Sequence, residues 1–201
     1  MSIPRYTDLD TVHDHVWDAL ETAAEDPGHP YRQLTFGTVP EETPDLRTVV
    51  LRTADAGARA LQFHSDRRSR KVAALRENDR IAWHAWDTES LEQIRLYGTA
   101  TVHVDDDVAA ALWESQSPGS LSVYPRPTAP GTPIDEPDDK LDPAVKSDPI
   151  TDDDVAGGRQ YFAAIRTVID RVEWLHLHPD GHYRARFEYA SDEGEATWVV
   201  P

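Results

Sequence analysis

The sequence predicts a mainly β protein, a small barrel with helices packed against its outside. Three observations carry this. Nine segments rich in Val, Leu, Thr and aromatic residues alternate in the way half-buried strands do. Turn-forming residues separate most of them. Only three short stretches carry helical spacing, and they fall at the ends of strands or before them. A chain of 201 residues can bury a core without staples, and it suits one domain or two small ones. The strands near the C-terminus are expected to complete the same sheet, so 1–201 is read as a single domain.

In order, residues 8–25 form an amphipathic helix, with Leu9, Val12, Val16, Leu20 and Ala23 at helical spacing. Thr7 is a candidate cap, and Pro27-Gly28 stops the helix. Strands follow at Leu34–Val39, Leu46–Thr53, Ala60–Ser65, Arg80–Asp87 and Gln93–Val104. The turn Ala54-Asp55-Ala56-Gly57 joins the second to the third, and Thr88-Glu89-Ser90 the fourth to the fifth. Short helices are expected over Arg68–Glu77 and, capped by Asp105 or Asp106, over Asp106–Glu114. Residues 124–158 hold seven of the fifteen prolines, nine acids and three bases, which reads as a long surface loop. Strand character resumes at Gln160–Val172, Glu173–His178, Tyr183–Tyr189 and Thr197–Val200, with turns at Pro179-Asp180-Gly181 and Ser191–Gly194.

The composition excludes several functions. There is no cysteine, so disulfides, thiolate metal sites and cysteine nucleophiles are ruled out. A net charge of −17 repels phosphate backbones and anionic membranes, so neither nucleic acid nor membrane is an expected partner. The N-terminal residues MSIPRYTDLD lack a signal pattern and no apolar run is long enough to span a bilayer, so a cytoplasmic protein is expected. Only three lysines occur against 17 arginines, and 24 aspartates outnumber 13 glutamates. Genomic bias or adaptation to high salt would each produce this.

Against that acidity, Arg67-Arg68-Ser69-Arg70-Lys71 places four bases within five residues. They follow a strand and open a helix, where unpaired N–H groups and the positive dipole end suit a phosphate. Arginine adds forked charge-assisted hydrogen bonds, and Ser65 and Ser69 add hydroxyls. A solvated basic turn offsetting nearby acids is the plainer reading of the same residues. Arg47-Thr48-Val49-Val50-Leu51-Arg52 is an apolar strand bracketed by arginines, suited to the edge of a flat heterocycle or to plain core. His176 and His178 share a strand face, with His182 after the turn, but surface positions on an edge strand explain them without a metal. His13 and His15 lie on different sides of their helix. No metal site is expected.

RTVVLR at 47–52, FHSD at 63–66, SRK at 69–71 and EQIRLYG at 92–98 resemble the flavin-binding signature of the pyridoxamine 5'-phosphate oxidase family. Trp174, Arg184-Ala185-Arg186-Phe187 and Trp198–Pro201 resemble its C-terminal ending. The resemblance covers about 30–104 and 160–201. It implies an FMN-binding split β-barrel, and a homodimer with flavin sites at the subunit interface. By resemblance, Arg47, Thr48, Val49, Val50 and Arg52 line the flavin, His64 and Ser65 sit beside it, and Arg70 and Lys71 hold its phosphate. Gln93 corresponds to the glutamine on the ring's polar edge. Trp174 and Arg186 correspond to residues that reach the flavin across the dimer. A surface strand for Gln93, core packing for Trp174 and an ion pair with Glu188 or Glu173 for Arg186 are the alternatives.

The departures bear on the substrate. Where the family grips a substrate phosphate with lysine, tyrosine, arginine and serine, this chain has Arg52, Leu112, Gln116 and Ser120. Late in the chain His182 and Arg184 replace an arginine and a histidine. The implied function is therefore an FMN-dependent oxidoreductase acting on a small molecule other than pyridoxamine phosphate. Arg52, Ser120, His182 and Arg184 are its candidate substrate contacts, and Arg126 from the loop is a possible replacement for the missing anion grip. A non-catalytic FMN carrier, sensor or stress protein is the alternative. A heme or deazaflavin split barrel is the second alternative, with His64 the candidate heme ligand.

Overall fold

A computed structural model describes residues 4–40, 43–146, 148–189 and 194–201. The turn expected at Ser191–Gly194 therefore lies largely outside the described residues. The chain forms two compact units. One holds residues 1–63, 78–100 and 166–201; the other holds 64–77 and 101–165.

The first unit is built on sheet. Helix α1 (Leu9–Glu25) buries Val12, Val16, Trp17, Leu20 and Ala23 along one stripe. Its cap is Asp8 rather than Thr7. The Asp8 carboxylate accepts from Thr11 N at 2.9 Å and from Thr11 Oγ1 at 3.0 Å, which a threonine hydroxyl one residue earlier cannot reproduce. The strands are β1 (Gln33–Thr38), β2 (Asp45–Val50), β3 (Thr53–Asp55), β4 (Ala60–Asp66), β5 (Arg80–Asp87), β6 (Glu92–His103), β7 (Phe162–His176), β8 (Tyr183–Glu188) and β9 (Glu195–Val199). They form one sheet in the order β2-β1-β5-β6-β7-β4-β3, with β8 paired to β7 and β9 to β8.

Two expected strand boundaries change. Leu46–Thr53 is not continuous: the chain turns a corner after Val50, where Leu51 N bonds Arg32 O at 2.9 Å and Arg52 N bonds Gln62 O at 2.9 Å. The next strand partner is therefore β4, and the connecting turn falls at 56–59, just beyond the expected one. Conversely, the two segments expected over 160–178 are the single strand β7.

Phe36, Phe63 and Trp83 meet edge-on at the centre of this unit. The indole N–H of Trp83 donates to Thr167 Oγ1 at 3.2 Å, and that hydroxyl donates to Leu61 O at 3.0 Å, so the buried polar atoms are satisfied. Gly98 on β6 is required by close approach: a Cβ there would lie 2.0 Å from Val168 O. His176 is fully buried and His178 nearly so, which corrects the expected surface positions. Tyr183 Oη meets His176 Nδ1 at 2.8 Å, and burial holds His176 below the usual histidine range.

The second unit holds α2 (Arg70–Glu77), α3 (Asp107–Glu114), α4 (Pro118–Leu121) and α5 (Asp152–Ala156). Asp106 caps α3 through Ala109 N at 3.0 Å; this hydrogen bond lowers the Asp106 pKa, with a further contribution from His103. The proline-rich segment is not merely a surface loop. Tyr124, Val145 and Val155 are buried with Ala109, Leu112, Leu121, Phe162 and Ala164, and Leu141 and Ile150 pack against them. Apolar residues spaced too irregularly for one helix or strand still form a core when short turns fold them back. No helix among the described residues is long and apolar enough to cross a membrane.

Candidate functional site

The basic corner lies in the second unit. Its geometry follows from Asp66, which ends β4. The Asp66 carboxylate accepts from Arg68 N at 2.8 Å, and Asp66 O accepts from Ser69 N at 3.0 Å, so the chain makes one turn before α2 begins at Arg70. This delays the helix by two residues relative to the expectation.

The turn sorts the four bases into two kinds. Arg67 pairs with Asp105 at 3.0 Å. Arg68 pairs with Asp66 at 2.7 Å, donates to the carbonyls of Arg126 and Pro127 at 2.8 and 2.9 Å, and lies 3.6 Å from the centre of the Tyr161 ring. These two guanidinium groups are structural, which narrows the expected cluster. Arg70 is exposed and makes no ion pair among the described residues. Lys71 Nζ donates to Ser65 Oγ at 3.0 Å, and Ser65 Oγ lies 3.2 Å from Ser69 Oγ; both serines are buried. The corner thus presents an ammonium, a guanidinium and two hydroxyls at the head of a helix, a donor set that fits a phosphate dianion.

Arg126 enters this neighbourhood through its own carbonyl, held by Arg68, and its buried Nε has no acceptor among the described residues. Ser120 sits in the first turn of α4, its N–H within 2.9 Å of Ser117 O. His64 is turned toward Tyr124: Nδ1 and the phenol oxygen are 2.5 Å apart, and both rings pack with Phe162. Leu112 belongs to the buried core, and Gln116 donates to Ser115 Oγ at 2.8 Å.

In the sheet unit, β2 is an edge strand, paired among the described residues with β1. Thr48 is exposed, Val49 buried, and Val50 and Arg52 half-buried. Arg47 is engaged locally by Asp45, by Thr38 Oγ1 at 2.9 Å and by Phe36 O. Gln93 is half-exposed, and its Oε1 lies 3.3 Å from His84 Nε2. Trp174 is fully buried among Tyr6, His176 and Tyr183, the packing expected as its alternative role. Arg186 pairs with Glu188 at 3.6 Å, one of its two expected alternatives. His182 is exposed in the turn before β8. Arg184 bonds Glu173, which is buried and also receives Arg95 and Arg171. Sequence reasoning missed this hub, because only strand register shows that three arginines converge on one carboxylate.

A mainly antiparallel sheet with peripheral helices defines the split β-barrel class. The family model described as pyridoxamine 5'-phosphate oxidase, FMN-binding domain, matches residues 14–104. The solved structure of a pyridoxamine 5'-phosphate oxidase-related, FMN-binding protein from Nostoc punctiforme is 21% identical, with a TM-score of 0.74 over 93% of this chain and 95% of that one. PhzG from Burkholderia lata, solved with tetrahydrophenazine-1-carboxylic acid, is 16% identical, with a TM-score of 0.74 over 100% and 99%. A protein related to general stress protein 26 from Clostridium acetobutylicum is 14% identical, with a TM-score of 0.58 over 90% and 96%. No curated protein matches the sequence. Residues 14–104 thus match the FMN-binding domain model of the pyridoxamine 5'-phosphate oxidase family, and the fold is that of its split barrels, as the motifs imply.

Proposed function

We propose that this protein binds FMN, with the phosphate held by Ser65, Ser69, Arg70 and Lys71 at the start of α2, and that it is a flavin-dependent oxidoreductase. The observation that carries the reading is the contrast within the corner. Arg67 and Arg68 are consumed by Asp105, Asp66 and backbone carbonyls, whereas Arg70, at the first residue of α2, stays exposed and makes no ion pair among the described residues. A basic turn that served only to offset acids would pair Arg70 as well.

FMN, when bound, supplies hydride or electron transfer to a small molecule against its ring. The chain's own contribution is to bind and orient. Gln93 presents an amide on an exposed sheet face, and β2 presents backbone beside Thr48 and Val50, both suited to a flat polar heterocycle. Two of the four residues of the family's phosphate grip are replaced, since Leu112 is core and Gln116 is turned to Ser115, while Arg52 and Ser120 remain. This supports a substrate other than pyridoxamine phosphate. We further propose a homodimer, as the family resemblance implies.

The test is titration of the purified protein with FMN, followed by quenching of flavin fluorescence. Saturable binding that is lost in Arg70→Ala/Lys71→Ala supports the assignment, and unchanged binding in that double variant rejects it. Anaerobic mixing with NADH or NADPH then separates an oxidoreductase, whose flavin bleaches, from a non-catalytic carrier.

A further inference from the structure

We infer that the N-terminal segment, together with β8 and β9, frames a binding site for a small, flat aromatic anion, lined by Arg5, Tyr6, Thr7, Tyr183 and Trp198. The site does not depend on the flavin reading, and it lies on the opposite face of β8 from Arg184 and Arg186.

Register separates the two faces. Tyr183 lies opposite His176, and Ala185 opposite Trp198. Directly opposed residues project to the same side of a sheet, so Tyr183, Ala185 and Trp198 share one face. Arg184 and Arg186 alternate with them and project from the other. On the first face, residues 5–7 and the two strands leave a cavity of about 230 Å³. Drug-sized ligands take roughly 300–1,000 Å³, so this cavity suits a single-ring molecule.

Hydrogen bonds fix the wall that the N-terminal segment supplies. The Tyr6 N–H donates to Tyr183 Oη at 3.2 Å, which ties the segment to β8. Behind Tyr6 stands His15, whose Nε2 lies 2.8 Å from Glu92 Oε2. Glu92 is buried, and a carboxylate only accepts, so Nε2 carries the ring proton. In the neutral ring Nδ1 is then the acceptor for the Tyr6 hydroxyl at 3.3 Å. The imidazole therefore orients the phenol and also stands between it and the Glu92 charge.

The lining defines the ligand. Trp198 is 39% exposed, and its ring centre lies 6.0 Å from that of Tyr183, so an open indole face stands beside a phenol. Burial raises the pKa of both Tyr6 and Tyr183, and the aromatic walls stay uncharged. The charge comes from Arg5. Its guanidinium lies 5.4 Å from the centre of the Tyr183 ring, is exposed, and makes no ion pair among the described residues. In a chain with 37 acids and 20 bases, an unpaired cation at an aromatic cavity selects an anion and disfavours an aromatic cation.

The test is titration of the ¹⁵N-labelled full-length protein with phenylacetate at low, fixed ionic strength, followed by the indole N–H resonances of its six tryptophans. The Trp198 resonance is assigned by its loss in Trp198→Phe. It should shift saturably with phenylacetate and not with neutral phenylacetamide. Arg5→Gln, a change at an exposed residue outside every helix and strand, should weaken binding about tenfold, the scale of one lost charge-assisted hydrogen bond. Saturating FMN should leave the affinity unchanged. The proposal is overturned by a Trp198 resonance that does not respond, by an equal response to phenylacetamide, or by unchanged affinity in Arg5→Gln. Competition by FMN would also overturn it, because it would place phenylacetate on the other face of β8.

Discussion

Lys71 Nζ donates to Ser65 Oγ at 3.0 Å, joining the end of β4 to the first turn of α2. Ser69 Oγ, 3.2 Å from the same hydroxyl, completes a small polar cluster. On this arrangement, with the exposed Arg70 beside it, rests the proposal of a phosphate site at the corner.

Ser65→Ala should weaken FMN binding by about 10- to 100-fold, the scale of one hydrogen bond to a charged group. Folding should be little affected, because Ser65 contributes no backbone contact that alanine lacks. Equilibrium titration checks the affinity, and thermal unfolding checks the fold. Equal affinity in the variant would show that the hydroxyl faces no ligand.

Gly98→Ala should be severely destabilising. Its Cβ would fall 2.0 Å from Val168 O and 2.9 Å from Val168 C, both backbone atoms of the neighbouring strand, so β6 or β7 must move. Denaturant unfolding of the soluble fraction is the measurement, and a midpoint like that of the wild type would contradict the close approach.

Burial lowers the His176 pKa, with Glu92 opposing. The folded protein therefore prefers the neutral ring, while the unfolded chain takes up a proton near the ordinary value of about 6.5. The stability from this group is complete above that pH and is lost as pH falls below it toward the folded-state value. The wild type should lose more stability between pH 7.5 and 5 than His176→Gln does. Parallel melting curves across that range would show that the ring does not titrate differently in the two states.

Excess aspartate and a charge of −17 predict self-repulsion that salt relieves. In about 1 M salt the screening length is only about 3 Å, so the melting temperature should rise well above its value in dilute buffer. Equal values in the two solutions would assign the acidity to composition bias.

The fold was legible where periodicity is strong. Val12, Val16 and Leu20 marked α1, and the alternation of Arg80–Asp87 matched β5 residue for residue. It was obscure where tertiary contacts decide. The corner after Val50 depends on Arg32 and Gln62 carbonyls far away in sequence, and Tyr124, Val145 and Val155 form a core without any period. The same division holds for the candidate site. The charge of residues 67–71 was plain in the sequence, but the tying of Arg67 and Arg68 depends on Asp66, Asp105 and Tyr161. The burial of Trp174 and the arginines around Glu173 required strand register, which local sequence does not carry.

The most direct test of the central claim is FMN titration of the wild type and of Arg70→Ala/Lys71→Ala, read by flavin fluorescence. The account predicts saturable binding by the wild type and its loss in a variant that still folds. Equal affinity in the two proteins, or no binding by the wild type, would contradict it.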